Sequence, residues 1–137
     1  MTKMTATKQE LVNLMNGLFA VQEVQGKQFS LTVSKNIQLL KEELKDLEAA
    51  ATPSEEFMKL ASKVNEITNN TEVDSAELIE KLEEENKELV EARRAQMEAV
   101  QLMMEDELEV NIHTISEDII PEDMTAKQIN NIIKILV

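Results

Sequence analysis

The sequence predicts a mainly α-helical protein: a long antiparallel helical hairpin or bundle, with a short extended segment near residues 108–115 and a small C-terminal helix. Three observations lead there. Two glycines and two prolines in 137 residues are too few turn-formers for a β-sandwich or barrel. Apolar residues recur at helical spacing through most of the chain. With three Phe, no Trp and no Tyr, burial has to come from Leu, Ile, Val, Met and Ala, the usual filling of helix–helix seams. One domain spanning 1–137 is expected, with helices at about 7–25, 27–50, 53–68, 75–107 and 126–136.

The first helix carries Leu11, Leu14, Met15, Leu18 and Val21 on one face. Thr7 and Glu10 have the spacing of a capping box, and Gly26 offers a C-terminal stop. Gly17 either weakens the interior or permits a close helix approach. In the second helix Phe29, Val33, Ile37, Leu40, Leu44 and Leu47 form one continuous stripe. Its opening, Phe29 to Val33, also alternates with period two, so a short strand is the competing reading there.

Thr52-Pro53-Ser54-Glu55 is the clearest punctuation in the chain. Thr52 with Glu55 reads as a capping box, with Pro53 at the first helical position, where its missing N–H costs nothing. The third helix then presents Phe57, Leu60, Ala61, Val64 and Ile67 and ends near Thr68-Asn69-Asn70. A further capping box, at Asp74 and Glu77 (or Ser75 as the cap instead), opens the longest helix. Its seam candidates are Leu78, Leu82, Leu89, Met97, Val100 and Met104, while Asn86 and Arg93 fall where a strict heptad wants apolar residues. An arm of roughly 45 Å follows from 1.5 Å per residue.

Leu108, Val110, Ile112 and Thr114 alternate with Glu109, Asn111 and His113, which is strand-like. One strand needs a partner, and Phe29–Val33 or another subunit would have to supply it. Thr125 with Gln128 caps the last helix, whose buried face is expected to be Ile129, Ile132, Ile133 and Leu136.

Charge narrows the function classes. The net charge is −13, unfavourable for binding a phosphate backbone directly. Residues 71–109 hold fourteen acids against four bases, whereas residues 1–50 are balanced at six of each. Without cysteine there is no disulfide, thiolate ligand or cysteine nucleophile. The polar opening Met1 to Lys8 precedes no long apolar run, so neither a signal peptide nor a membrane span is expected.

No constellation points to catalysis. Glu83-Glu84-Glu85 and Glu105-Asp106-Glu107 are consecutive, and helical neighbours point about 100° apart, so they do not converge on one ion or bond. Together with Glu88 and Glu91 they read as a solvated face, helped by i,i+4 pairs such as Glu77–Lys81 and Glu83–Lys87. His113 is the only histidine and can be at most one member of a metal cluster or triad. Neither a calcium-binding loop nor a phosphate-binding glycine fingerprint is present, so no metal or cofactor is expected. The Met97, Met103 and Met104 group fits a core or oligomer seam better than an adaptable groove. Arg93 and Arg94 fit ion pairing within their helix.

Three stretches taken together, Leu11–Leu18, Lys35–Leu40 with Pro53–Phe57, and Glu107–Ile115 with Ile120–Thr125, resemble small uncharacterised proteins encoded by tailed bacteriophages and prophages. The resemblance implies a phage setting, in the host bacterial cytoplasm or in the virion, and brings no catalytic residue with it. The expected function is therefore non-enzymatic: a protein–protein interaction protein, oligomeric, acting as a virion or assembly component. Contacts with itself and at least one other protein are expected along Phe29, Val33, Ile37, Leu40, Leu82, Leu89, Met97, Val100 and Met104. The alternative is an acidic inhibitor of a host defence or nucleic-acid enzyme, using Glu83, Glu84, Glu85, Glu88 and Glu91 as a nucleic-acid mimic or steric block. Neither reading involves a membrane.

Overall fold

The structure is a computed structural model that describes residues 1–70 and 74–137. It is mainly α-helical, with a small two-stranded antiparallel sheet. In chain order the elements are β1 (Thr2–Thr7), α1 (Lys8–Ala20), α2 (Lys27–Glu43), α3 (Lys45–Ala51), α4 (Glu55–Asn69), α5 (Ser75–Glu85), α6 (Lys87–Met104), β2 (Glu107–Ile112), and α7 (Ala126–Asn131). Short 3-10 turns at Glu117–Ile119 and Ile133–Ile135 flank α7. Among the described residues no helix is long and apolar enough to cross a membrane. Packing divides the chain into two compact units: residues 1–47 with 103–137, and residues 48–102.

The first unit holds most of the core. The helix 2 stripe is buried from end to end, at Phe29, Val33, Ile37, Leu40, Leu44 and Leu47. It is joined by Leu11, Leu14, Leu18 and Val21, and by Val110, Ile112, Ile115, Ile132 and Ile135. Helical geometry at Phe29–Val33 removes that segment as a strand. The partner of β2 is instead the N-terminus, with Thr2 opposite Ile112 and Thr7 opposite Glu107. Thr2, Thr5 and Thr7 are β-branched, and Met4 and Ala6 alternate toward the covered face, so this short polar segment satisfies the pleat. It flows directly into the Thr7–Glu10 capping box, which forms as expected.

Several helix boundaries shift for local reasons. Helix α1 ends at Ala20, not near 25, with the fully buried Val21 as its C-cap. Gly26 then lies just before α2, where its φ of 140° is open to glycine and costly for other residues. The second helix is interrupted at Leu44, although its apolar stripe continues in phase to Leu47. At the C-terminus α7 stops at Asn131 and a tighter turn follows. Ile132 and Ile135 are buried as a result, while Ile133 is exposed and Leu136 half-buried. Ile115 bridges to Leu136 in parallel and secures this end. Gly17 serves a close approach: a Cβ there would lie 2.0 Å from the Asn131 carbonyl oxygen of α7.

The second unit is an antiparallel helical arm. Ser75 Oγ donates to the Ile67 carbonyl (3.2 Å) near the tip, and Gln96 Nε2 donates to the Ala50 carbonyl (2.8 Å) near the base. Those paired positions sum to nearly the same number, the signature of two segments running in opposite directions. Helix α4 begins at Glu55 with Ser54 as its cap, accepting from the Phe57 N–H (3.1 Å), two residues after the expected start. Thr52 instead turns its hydroxyl back onto α3, donating to the Glu48 carbonyl (2.8 Å). Asp74 opens α5 without a side-chain cap, in place of the expected box. The long helix breaks at Asn86, whose side-chain amide donates to the Leu82 carbonyl (2.9 Å) in competition with the helix ladder.

Candidate protein-interaction surfaces

The arm explains why its seam is not a clean heptad. From Ser75 the least exposed positions are Ile79, Leu82, Asn86, Leu89, Val90, Arg93, Gln96 and Val100, which is heptad spacing with polar insertions. Two of the insertions face the break at Thr52-Pro53. Proline has no N–H to continue the helix, so carbonyls ahead of it lose their usual partners. Arg93 donates to the Ala51 carbonyl (2.8 Å), and Gln96 Nε2 donates to the carbonyls of Ala50 and Thr52 (both 2.8 Å). Gln96 Oε1 in turn accepts from Arg93 (2.8 Å), and the guanidinium lies 5.6 Å from the centre of the Phe57 ring. Residues that spoil the heptad therefore close a break in the opposite strand of the hairpin.

Apolar coverage on the arm is thin. Among the described residues of this unit only Leu60 and Val100 are buried. Phe57, Val64, Ile67, Ile79, Leu82, Leu89 and Val90 are half-buried. Leu78 (39%), Met97 (40%), Met58 (45%) and Leu102 (68%) are exposed. Two helices bury one stripe against each other and leave the flanks to water; a four-helix arrangement covers them.

The acidic residues lie where a solvated face places them. Glu83, Glu84, Glu85, Glu88 and Glu91 are all exposed. A groove lined by Glu84, Glu85 and Glu88 with Glu56 opposite and Leu89 at its floor runs past the Asn86 break. Among the described residues neither expected pair, Glu77–Lys81 or Glu83–Lys87, closes to within 4 Å; the second is interrupted by the break at Asn86. Lys87 turns to Glu91 at 4.0 Å instead. Arg94 is exposed and forms no ion pair among the described residues.

The candidate contact residues fall into two groups. Phe29, Val33, Ile37 and Leu40 are interior to the first unit and their apolar surface is used up there. In the arm, Leu82 and Leu89 are half-buried, Met97 is exposed and Val100 is buried; Met104, in the first unit, is half-buried. Sequence reasoning missed Asn36 and Gln96. Asn36 could have been found, since it lies three residues after Val33 and so on the buried face of α2. It is fully buried and holds both backbone groups of His113, donating to the carbonyl (2.8 Å) and accepting from the N–H (2.9 Å).

Among the described residues no three of His, Asp and Glu come together in a way that could hold a metal ion. One carboxyl group of the first unit is electrostatically tuned. Lys134 lies 2.7 Å from Glu10, and that hydrogen bond, with the Thr7 bonds and the nearby charge, holds the Glu10 carboxyl below its usual range. Both ends of that pair belong to the first unit, tying α1 to the last turn. Comparison with known proteins returned no matching family model, no matching curated protein and no matching solved structure.

Proposed function

We propose that this chain is a non-enzymatic protein–protein interaction protein that self-associates through its helical arm, residues 48–102, as a virion or assembly component of a tailed phage. The observation that carries the reading is the half-covered apolar flank of the arm, with Leu78 and Met97 exposed on either side of the α5–α6 break. A second arm laid alongside would bury those flanks and complete a four-helix layer. The phage setting rests on the sequence resemblance, and places the protein in the host cytoplasm or in the particle. The net charge of −13 favours protein over nucleic acid as the partner.

Light scattering on a sizing column, at about 50 and about 500 mM salt, tests this where screening differs several-fold. A salt-independent oligomer that falls to a monomer in the double variant Leu78→Lys/Met97→Lys is the expected result. A wild-type monomer at both salts overturns it.

The second reading, an acidic inhibitor of a host enzyme, is favoured by one observation: five glutamates exposed within nine residues, with a single ion pair at 4.0 Å to offset them among the described residues. It requires salt-sensitive binding to a basic partner that disappears when Glu83, Glu84 and Glu85 are replaced by Lys. Unchanged affinity in that variant excludes it.

A further inference from the structure

The two-stranded sheet leaves one edge of β2 open, and its register identifies which backbone groups point outward. Lys8 N–H donates to the Asp106 carbonyl (2.9 Å), continuing the ladder in which Thr2 faces Ile112. In an antiparallel pair hydrogen-bonded and non-bonded positions alternate. Ala6–Leu108, Met4–Val110 and Thr2–Ile112 are therefore the bonded pairs. Glu107, Glu109 and Asn111 direct their N–H and C=O groups away from β1. Two other contacts agree with this parity. His113, next in the outward series, exchanges both backbone groups with the Asn36 side chain, and Thr7 on β1 sends its N–H to Glu10.

Asn36 thus occupies, at one residue, the place of a neighbouring strand. Upstream of it nothing among the described residues takes up the outward groups of Asn111 or Glu109. Beside this edge runs an apolar groove of about 430 Å³, floored by Leu31 and Leu39 of α2 and closed by His113, with Lys35, Gln38 and Glu42 on its rim. Leu31 is half exposed there, on the outer side of a helix whose inner side is core. The open strand edge and the apolar groove meet at His113.

We propose that this edge and groove receive an extended basic segment of a partner protein, added as a third strand antiparallel or parallel to β2. Backbone pairing to Glu109 and Asn111 supplies the alignment, and alternate apolar side chains enter the Leu31–Leu39 groove. Charge selects the occupant. Four of the five residues Glu105–Glu109 are acidic, and among the described residues only Glu109 has a cationic partner, Lys3 at 3.5 Å. Glu42 on the rim is already engaged by Lys45 (2.7 Å), so the unmet charge lies along β2 itself. Two copies joined edge to edge through β2 would set Glu109 against Glu109 or Glu107, a like-charge cross-strand pair that works against that dimer. The segment that fits has Lys or Arg at the positions facing Glu107 and Glu109. This surface lies in the first unit and is independent of self-association through the arm.

The test is amide NMR on the full chain with an N-acetylated synthetic peptide alternating Lys with Val or Leu, added up to about 1 mM. Glu109 and Asn111 amides are expected to shift and gain exchange protection, and the same peptide with Glu for Lys to leave them unchanged. Asn111→Pro removes an outward N–H without touching the ladder, a placement proline tolerates on an edge strand. It should weaken binding about tenfold while Val110 and Ile112 amides stay protected. Leu31→Asp, at an exposed position, should weaken it independently. Wild-type affinity in Asn111→Pro, or no response at Glu109 and Asn111, overturns the proposal. Protection that grows with protein concentration in the absence of peptide overturns the choice of occupant, assigning the edge to a second copy.

Discussion

Asn36 on α2 is bonded to both backbone groups of His113, 77 residues away, and is itself sealed from solvent. A buried amide with both ends satisfied behaves like one residue of an additional strand and locks α2 against the end of β2. Every buried side-chain polar atom among the described residues has a hydrogen-bond partner, so removing this amide creates a deficit where none exists.

Asn36→Leu, though similar in branching, is expected to cost about 2–3 kcal/mol, because the His113 N–H and carbonyl lose their partners in a part-buried site. Urea denaturation measures it. Asn36→Asp should be no better: it can still accept from the N–H, but it loses the donor to the carbonyl and places a charge in the core. If either variant matches the wild type, the amide is dispensable and the strand analogy fails.

Gly17→Ala separates propensity from packing. Alanine gains about 1 kcal/mol of helix propensity over glycine in a helix interior. Its methyl would meet the Asn131 carbonyl oxygen at 2.0 Å, a backbone atom with no rotamer to escape into. Overpacking of this kind costs about 1–3 kcal/mol, which matches or exceeds that gain. A lower melting temperature is expected; a rise would mean that α7 moves freely from α1.

Gln96→Leu asks the same question of the arm. Heptad logic alone makes leucine stabilising at that position. The structure assigns Gln96 to the carbonyls of Ala50 and Thr52, so the substitution should destabilise by about 1 kcal/mol, moderated by rehydration of the exposed Thr52 end. Chemical denaturation of the variant gives the sign directly.

The Glu10–Lys134 pair predicts an acid dependence. The folded-state pKa of Glu10 is depressed, so its contribution is present above the ordinary carboxylate range and fades as pH falls through the lowered folded value. Both side chains are nearly half exposed, so solvent screening keeps the effect small. Glu10→Gln should flatten part of the stability loss on acidification and change little near neutrality. Melting curves across acidic pH would check this, and an unchanged slope in the variant would remove Glu10 from the account.

The elements that the sequence determined by itself are those set by short-range physics. The helix 2 stripe, the Thr7–Glu10 and Thr125–Gln128 capping boxes and the β2 alternation each depend on residues within a turn or two, and each is visible as a spacing. The same holds for the exposure of Glu83 to Glu91, since consecutive charges on a helix have nowhere else to go. Only the tertiary structure decided the rest. The partner of β2 was settled by a pairing between segments far apart in the chain, and no local pattern ranks Thr2–Thr7 above other short segments. Polar residues in apolar stripes, Asn36, Arg93 and Gln96, gain meaning only from carbonyls far off in sequence that need a donor. The breaks at Leu44 and Asn86 interrupt stripes whose phase survives them, so periodicity passes over both. Periodicity records which side of a helix avoids water; hydrogen-bond satisfaction over long separations decides what that side meets.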